Sequence, residues 1–261
     1  MRLKNQVQPT QCSPNLHLKS APIIEAVFDI DAELPPAFTL EGVIGAAETA
    51  FADRYPGKQK QLISEQKISV RPGESPSISA KNILQALQLL APDKKQLVQV
   101  RRNGFSLNRL APYSSFDDYL PEVQRCWEVY RRLCSPVLVR KVGLRYINRI
   151  LLPIEGGNLN LEDYLAVCPH LPDEDALSFT SFLNRHQVTE PATGLCANIT
   201  LSSQKSESAG LWILLDIEAF DATRIEVGEE RLWEAFHSLR RLKNSIFERI
   251  LTPKCLSLFQ R

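Results

Sequence analysis

At 261 residues and 29.5 kDa, the chain has enough material for one large domain or two small ones. Its 44% apolar and 23% charged residues are those of an ordinary globular protein with an ample core, which excludes a disordered or staple-dependent chain. A net charge of +1 and a pI near 7.6 exclude any global pull towards nucleic acid or anionic membrane.

Residues 1 to about 20 are polar, aperiodic and interrupted by Pro9 and Pro14, which predicts a loosely held arm. Ile23 to Asp31 alternates as a strand, with Ile24, Ala26, Phe28 and Ile30 on one side and Glu25, Val27, Asp29 and Asp31 on the other. After Pro35 and Pro36, Thr39 is placed to cap a helix from Leu40 to about Tyr55. Strands are expected over Leu62–Val70, Leu84–Leu90, Leu97–Arg102 and Phe105–Leu110, with Pro72–Ser79 as a loop and Asn103-Gly104 as a tight hairpin turn. Ser115 and Asp118 resemble a capping box for a helix that runs to about Leu133, through Pro121.

Val139 to Ile150, V-R-K-V-G-L-R-Y-I-N-R-I, is the clearest two-faced strand. Val142, Leu144, Tyr146, Asn148 and Ile150 form one row; Lys141, Gly143, Arg145, Ile147 and Arg149 form the other. A short helix over Leu161–Val167 follows, then an acidic connection. Strands are expected over Phe179–Val188, Leu195–Ser202 and Leu211–Ala219, and a helix from Glu229 to about Leu251 that ends at Pro253.

Both halves of the chain thus read as strand, helix, about three strands and a long helix, with the break near Cys134 to Val137. The expected fold is α+β: two tandem β-α-β-β-β-α repeats, residues 21–136 and 137–261, with antiparallel sheets carrying long helices on one face. That element order resembles the saddle of the TATA-binding-protein-like and helix-grip folds, a likeness that carries no function.

Arg145 and Arg149 project from one strand face about 13 Å apart. That spacing suits two anionic groups, with Arg101, Arg102 and Arg109 joining them if the sheets merge. The competing reading places the first strands of the two repeats side by side. Glu25 and Asp29 would then lie across from Arg145 and Arg149 as inter-repeat ion pairs. Asn148, in an otherwise apolar row, needs partners, either backbone groups of a covering helix or a ligand.

Chemistry-bearing motifs are few. The six cysteines, Cys12, Cys126, Cys134, Cys168, Cys196 and Cys255, form no C-x-x-C pair and read as free thiols, mostly buried. His17, His170, His186 and His237 are scattered, and the acids Asp173, Glu174 and Asp175 read as a solvated turn. No phosphate-binding glycine loop or nucleophile elbow occurs, so no catalytic residue, metal or cofactor is implied. No apolar leader and no run approaching ~18 apolar residues is found, so a cytoplasmic, reduced protein without membrane association is expected.

Several stretches carry a resemblance: P-I-I-E-A-V-F-D-I (Pro22–Ile30), L-A-P-Y (Leu110–Tyr113), the helix bearing Trp127 and Tyr130, V-G-L-R-Y-I-N-R-I (Val142–Ile150) and H-S-L-R-R-L-K-N-S-I-F-E (His237–Glu248). In that order they are similar to a sporadically distributed, uncharacterised family of prokaryotic proteins of about this length. The resemblance implies no catalytic residue, and its patchy distribution fits toxin–antitoxin and phage-defence loci. The expectation is a non-enzymatic binding or regulatory protein, antitoxin-like or defence-associated, with a protein partner or a second copy of itself. The alternative is a nucleic-acid-binding or RNA-handling protein that uses Arg101, Arg102, Arg109, Arg145 and Arg149 on a basic sheet face. A third reading, an enzyme for a small anionic substrate, uses Arg145 and Arg149.

Overall fold

The computed structural model describes residues 18–69, 77–154, 159–170, 179–204, 210–227 and 230–260. The expected arm at 1–20 lies almost wholly outside them, as do Cys12, His17 and the Asp173–Asp175 turn.

The elements run β1 (Ile23–Glu33), α1 (Leu40–Ala50), β2 (Gly57–Ser69), β3 (Ser77–Leu90), β4 (Gln96–Arg101), β5 (Gly104–Leu110), α2 (Phe116–Cys134) and β6 (Leu138–Pro153). A single 3-10 turn at Leu161–Asp163 leads to β7 (Leu183–Thr189), β8 (Cys196–Gln204), β9 (Gly210–Asp221), β10 (Ile225–Glu226), α3 (Arg231–Ile250) and α4 (Pro253–Ser257). All strands join one ten-stranded antiparallel sheet in the order β2-β3-β4-β5-β1-β6-β9-β8-β7, with β10 pairing β6. The fold is therefore α+β, with helices packed against the sheet.

Local chemistry explains the boundaries. Thr39 and Ser115 accept hydrogen bonds from the amides of Gly42 and Asp118, so both expected caps form. Pro121 lies inside α2 without ending it. Asn103-Gly104 turns β4 into β5, and Gly104 takes a positive φ of 146°, which a side chain would resist. α3 ends at Ile250, ahead of Pro253 as expected, and a short further helix follows. Thr252 caps α4 there, with Pro253 in its first turn, where a missing amide hydrogen costs nothing.

The two rows of β6 fall as expected: Val142, Leu144, Tyr146, Asn148 and Ile150 are buried, while Arg145 and Arg149 are exposed. On β1, Ala26, Phe28 and Ile30 are buried, but Ile24 is not, because a register shift between Ile23 and Glu25 turns it outward. The core is aromatic at its centre. Phe28 on β1 meets Phe116 of α2 and Phe236 of α3, and Phe105 of β5 meets Trp127 and Tyr130 of α2. Each such ring removed from water contributes about 1.5–3 kcal/mol. A second cluster, with Ile213, Leu215, Ile217, Phe247 and Phe259, lies under the C-terminal part of α3 and α4.

Three expectations differ from what forms. The short helix over Leu161–Val167 is only the 3-10 turn, because Leu165 leaves helical geometry to bridge Leu251. The β2–β3 hairpin is longer than expected. Gln61–Gln66 and Ala80–Asn82 are exposed and held by backbone pairing, so this stretch lacks the apolar alternation that marks a half-buried strand. The four strands expected between the helices of the first half all form, one more than the three of the repeat pattern.

Candidate functional site

β1 and β6 lie side by side and antiparallel, as the ladder reading requires, but the ion pairs are not those expected. Glu25 is opposite Ile147, Val27 opposite Arg145 and Asp29 opposite Gly143. The acids of β9 take the place assigned to Glu25 and Asp29. Arg145 donates from Nε and Nη2 to the two oxygens of Asp216, at 2.8 and 2.5 Å. This pair holds Arg145 firmly protonated. Lys141 binds Glu218 at 2.6 Å, and Asn198 donates to the same carboxylate. Burial alone would raise the Glu218 carboxyl, but these two donors hold it below its ordinary value. Arg101 holds both Asp29, at 2.6 Å, and Asp31, at 3.1 Å. Burial nevertheless leaves the Asp29 carboxyl above its usual range. Glu25 accepts from Asn108, and Arg149 stacks 4.3 Å over the Trp212 ring.

Arg101 and Arg145 thus share a polar hollow of about 260 Å³ on the open sheet face with Glu25, Asp29, Asn108 and Glu218. Arg102 and Arg109 do not join them. Arg102 binds the Leu84 carbonyl and Glu41 of α1. Arg109, opposite the inward-facing Ala26, binds Asp93 and reaches the Pro112 carbonyl and the Tyr119 ring. The face expected to be basic is a mesh in which carboxylates meet most cations.

The larger site lies on the other face of β6. A cavity of about 420 Å³ opens where the start of β1, the entry to α2, the middle of β6 and one side of α3 converge. From α3 it receives Arg240, Lys243, Asn244 and Phe247, which recur at helical spacing and so form one stripe beside the apolar one. From β6 it receives Tyr146 and Asn148, two residues apart on the inner row. Tyr113 and Ser115 enter from the chain before α2, and Pro22 and Ile23 from the start of β1.

Asn148 is 2% exposed. Its amide donates to the backbone carbonyls of Leu215, at 3.0 Å, and Tyr146, at 3.4 Å. Its partners are therefore in the sheet and not in a covering helix. Its side-chain oxygen accepts no hydrogen bond among the described residues. The hydroxyls of Tyr113 and Tyr146 meet at 2.5 Å with their rings edge to face, and burial pushes both phenols well above their ordinary pKa. Arg240 is held by both oxygens of Asp117 and lies over the Phe116 ring.

Lys243 is the unusual member. Its Nζ sits 3.9 Å from the Tyr146 ring centroid and forms no hydrogen bond or ion pair among the described residues. Burial first, and then repulsion from Arg240, lower its pKa to about 7, against a weaker pull from Glu248. The residue keeps some surface exposure along its length, but the ammonium itself is desolvated.

The sequence reading found Asn148 and Tyr146 but assigned neither to this cavity, and it missed Tyr113, Arg240 and Lys243. The available signal was the spacing of 240, 243, 244 and 247 on a helix whose apolar stripe is already supplied by Leu232, Phe236, Leu239, Leu242, Ile246 and Ile250. Four stretches distant in sequence meet here: Pro22–Ile30, Leu110–Tyr113, Val142–Ile150 and His237–Glu248. Among the described residues no group of three or more His, Cys, Asp or Glu is placed to hold a metal, and no helix is long and apolar enough to cross a membrane. No protein-family model matches the chain, and searches of curated proteins and of solved structures return no match.

Proposed function

We propose that this protein is a binding protein whose ligand is a small organic anion held in the Tyr113–Tyr146–Lys243 cavity. The observation that carries the reading is a charge imbalance in a confined site. Asp117 neutralises Arg240, while no carboxylate is bonded to Lys243, so a bound anion would draw onto its amine the proton that burial loosens. The volume lies within the ~300–1,000 Å³ typical of ligand pockets. Ile23 and Phe247 offer an apolar wall, while the tyrosine hydroxyls and the Asn148 oxygen supply orienting polar groups. A monocarboxylate with an aliphatic or aromatic body satisfies all three.

The reading keeps the expectation of a binding protein and moves its site from the sheet face to the helix side. The nucleic-acid alternative loses support because Arg101, Lys141 and Arg145 are each held by carboxylates, a poor surface for a phosphate backbone. We also read the chain as two halves meeting at the β1–β6 pair. Either side of that pair is an antiparallel meander whose last main strand, β5 or β9, returns beside the first.

A panel of aliphatic and aromatic monocarboxylates, assayed by thermal shift and titration calorimetry, tests the proposal. Stabilisation is expected in the parent protein and should be lost in an Arg240→Ala/Lys243→Met double variant that retains its fold. Absence of any stabilisation at millimolar anion would sink the reading.

A further inference from the structure

Lys243 need not act only as a charge. Resting on the anion-binding reading above, we propose that the cavity captures 2-oxo acids or related carboxylated carbonyl compounds covalently, through a reversible imine between Lys243 Nζ and the carbonyl carbon. Three features of the geometry lead there. The amine is buried against the face of Tyr146 with no carboxylate to hold its proton. Arg240 lies one helical turn away, a spacing at which side chains are neighbours, so a carboxylate adjacent to a carbonyl can meet the guanidinium while the carbonyl meets the amine. The paired hydroxyls of Tyr113 and Tyr146 share the same cavity, placed to hydrogen-bond the carbonyl oxygen and to pass protons to it.

The step balances without a further reagent. The nitrogen lone pair forms the N–C bond and the carbonyl π pair moves onto oxygen. Both amine protons are transferred to that oxygen, which leaves as water as the C=N bond closes. Hydrolysis reverses the sequence, so capture is reversible and needs no redox partner. The step requires a neutral amine, and burial supplies it. With a pKa near 7, Lys243 is largely unprotonated at pH 7.5, whereas an ordinary lysine near 10.4 is about 0.1% unprotonated. Other charged or titratable groups around it are Arg240, Glu248, Asp117 and the two tyrosines, and none is a carboxylate bonded to Nζ.

Two probes separate this inference from the reading beneath it: 4-methyl-2-oxopentanoate, which carries the carbonyl, and 4-methylpentanoate, which lacks it. Full-length protein is incubated with the oxo acid and cyanoborohydride at pH 7.5, and the reduced adduct is mapped by peptide mass spectrometry. Expected is an adduct on Lys243 at least ~10-fold above any other lysine, set by its larger neutral fraction. The adduct should vanish in Lys243→Arg. Stabilisation by 4-methylpentanoate with no adduct, or an adduct spread evenly over surface lysines, overturns the imine and leaves anion binding standing. Failure of both probes overturns both.

Discussion

Arg145 reaches across from β6 to Asp216 on β9 with two parallel hydrogen bonds, and so spends on its own sheet the fork that suits a phosphate. The pair is partly exposed, with the arginine side chain 46% accessible, so its net contribution is modest. Arg145→Ala and Asp216→Ala should each lower stability by roughly 0.5–1 kcal/mol, with the double variant less than additive. Urea titrations of the four proteins, repeated at high salt, give the coupling and its screening. A fully additive cycle would mean that the pair contributes nothing.

The phenol pair should be more costly to break. Tyr113→Phe leaves the buried Tyr146 hydroxyl without its partner, and the reverse change does the same to Tyr113. Each single change should cost about 1–3 kcal/mol, and the double Phe variant little more than either one. Denaturant midpoints check the non-additivity.

Lys243 makes a pH prediction with a definite sign. Its folded pKa of about 7 is below the unfolded value of 10.5. Between those values the unfolded chain binds a proton that the folded chain does not, so this group's contribution to stability falls as pH is lowered from 10.5 to 7. Lys243→Met removes that loss. The variant should match the parent above pH 10.5 and exceed it most at pH 7 and below, by a few kcal/mol at most. Measuring both proteins across the range isolates the lysine from Cys126, Cys134 and Cys255. Burial pushes those thiols up to about 12, so they withdraw stability as pH rises above 9.

Gly104 should not tolerate a side chain. At its φ of 146° a Cβ would fall on the backbone of Ile30 and Asp31 in the adjoining strand, which cannot swing aside. Gly104→Ala should cost roughly 1–3 kcal/mol, whereas Gly194→Ala, also at positive φ but in open space, should cost less. Thermal melts of the two variants give the order.

Much of the fold was legible because local rules and tertiary context agree. The row Val142 to Ile150, the caps at Thr39 and Ser115, and the Asn103-Gly104 turn each declare themselves within a few residues. The adjacency of β1 and β6 was legible from their place in the chain. Their ion-pair partners were not, since a register shift at Ile24 and the acids of β9 decide them, and neither follows from pattern. The cavity was the hardest to read. Its walls come from residues near 22, 113, 146 and 243, and nothing in any one segment announces the others. Its local signs were Asn148, a polar residue in an apolar row, and the spacing of 240, 243, 244 and 247 on α3.

The place of β1 sets the order in which this molecule can be built. It precedes every other described strand in the chain, yet it lies in the interior of the sheet, between β5 and a β6 that begins more than a hundred residues later. Until Leu138–Pro153 has emerged from the ribosome, one edge of β1 presents unpaired amides and carbonyls beside Phe28 and Ile30. Closing the seam waits on a long-range encounter, which slows folding and exposes the nascent chain to edge-to-edge association. A chain truncated after Cys134 should therefore aggregate rather than fold, and β6 supplied in trans is the strand that would rescue it.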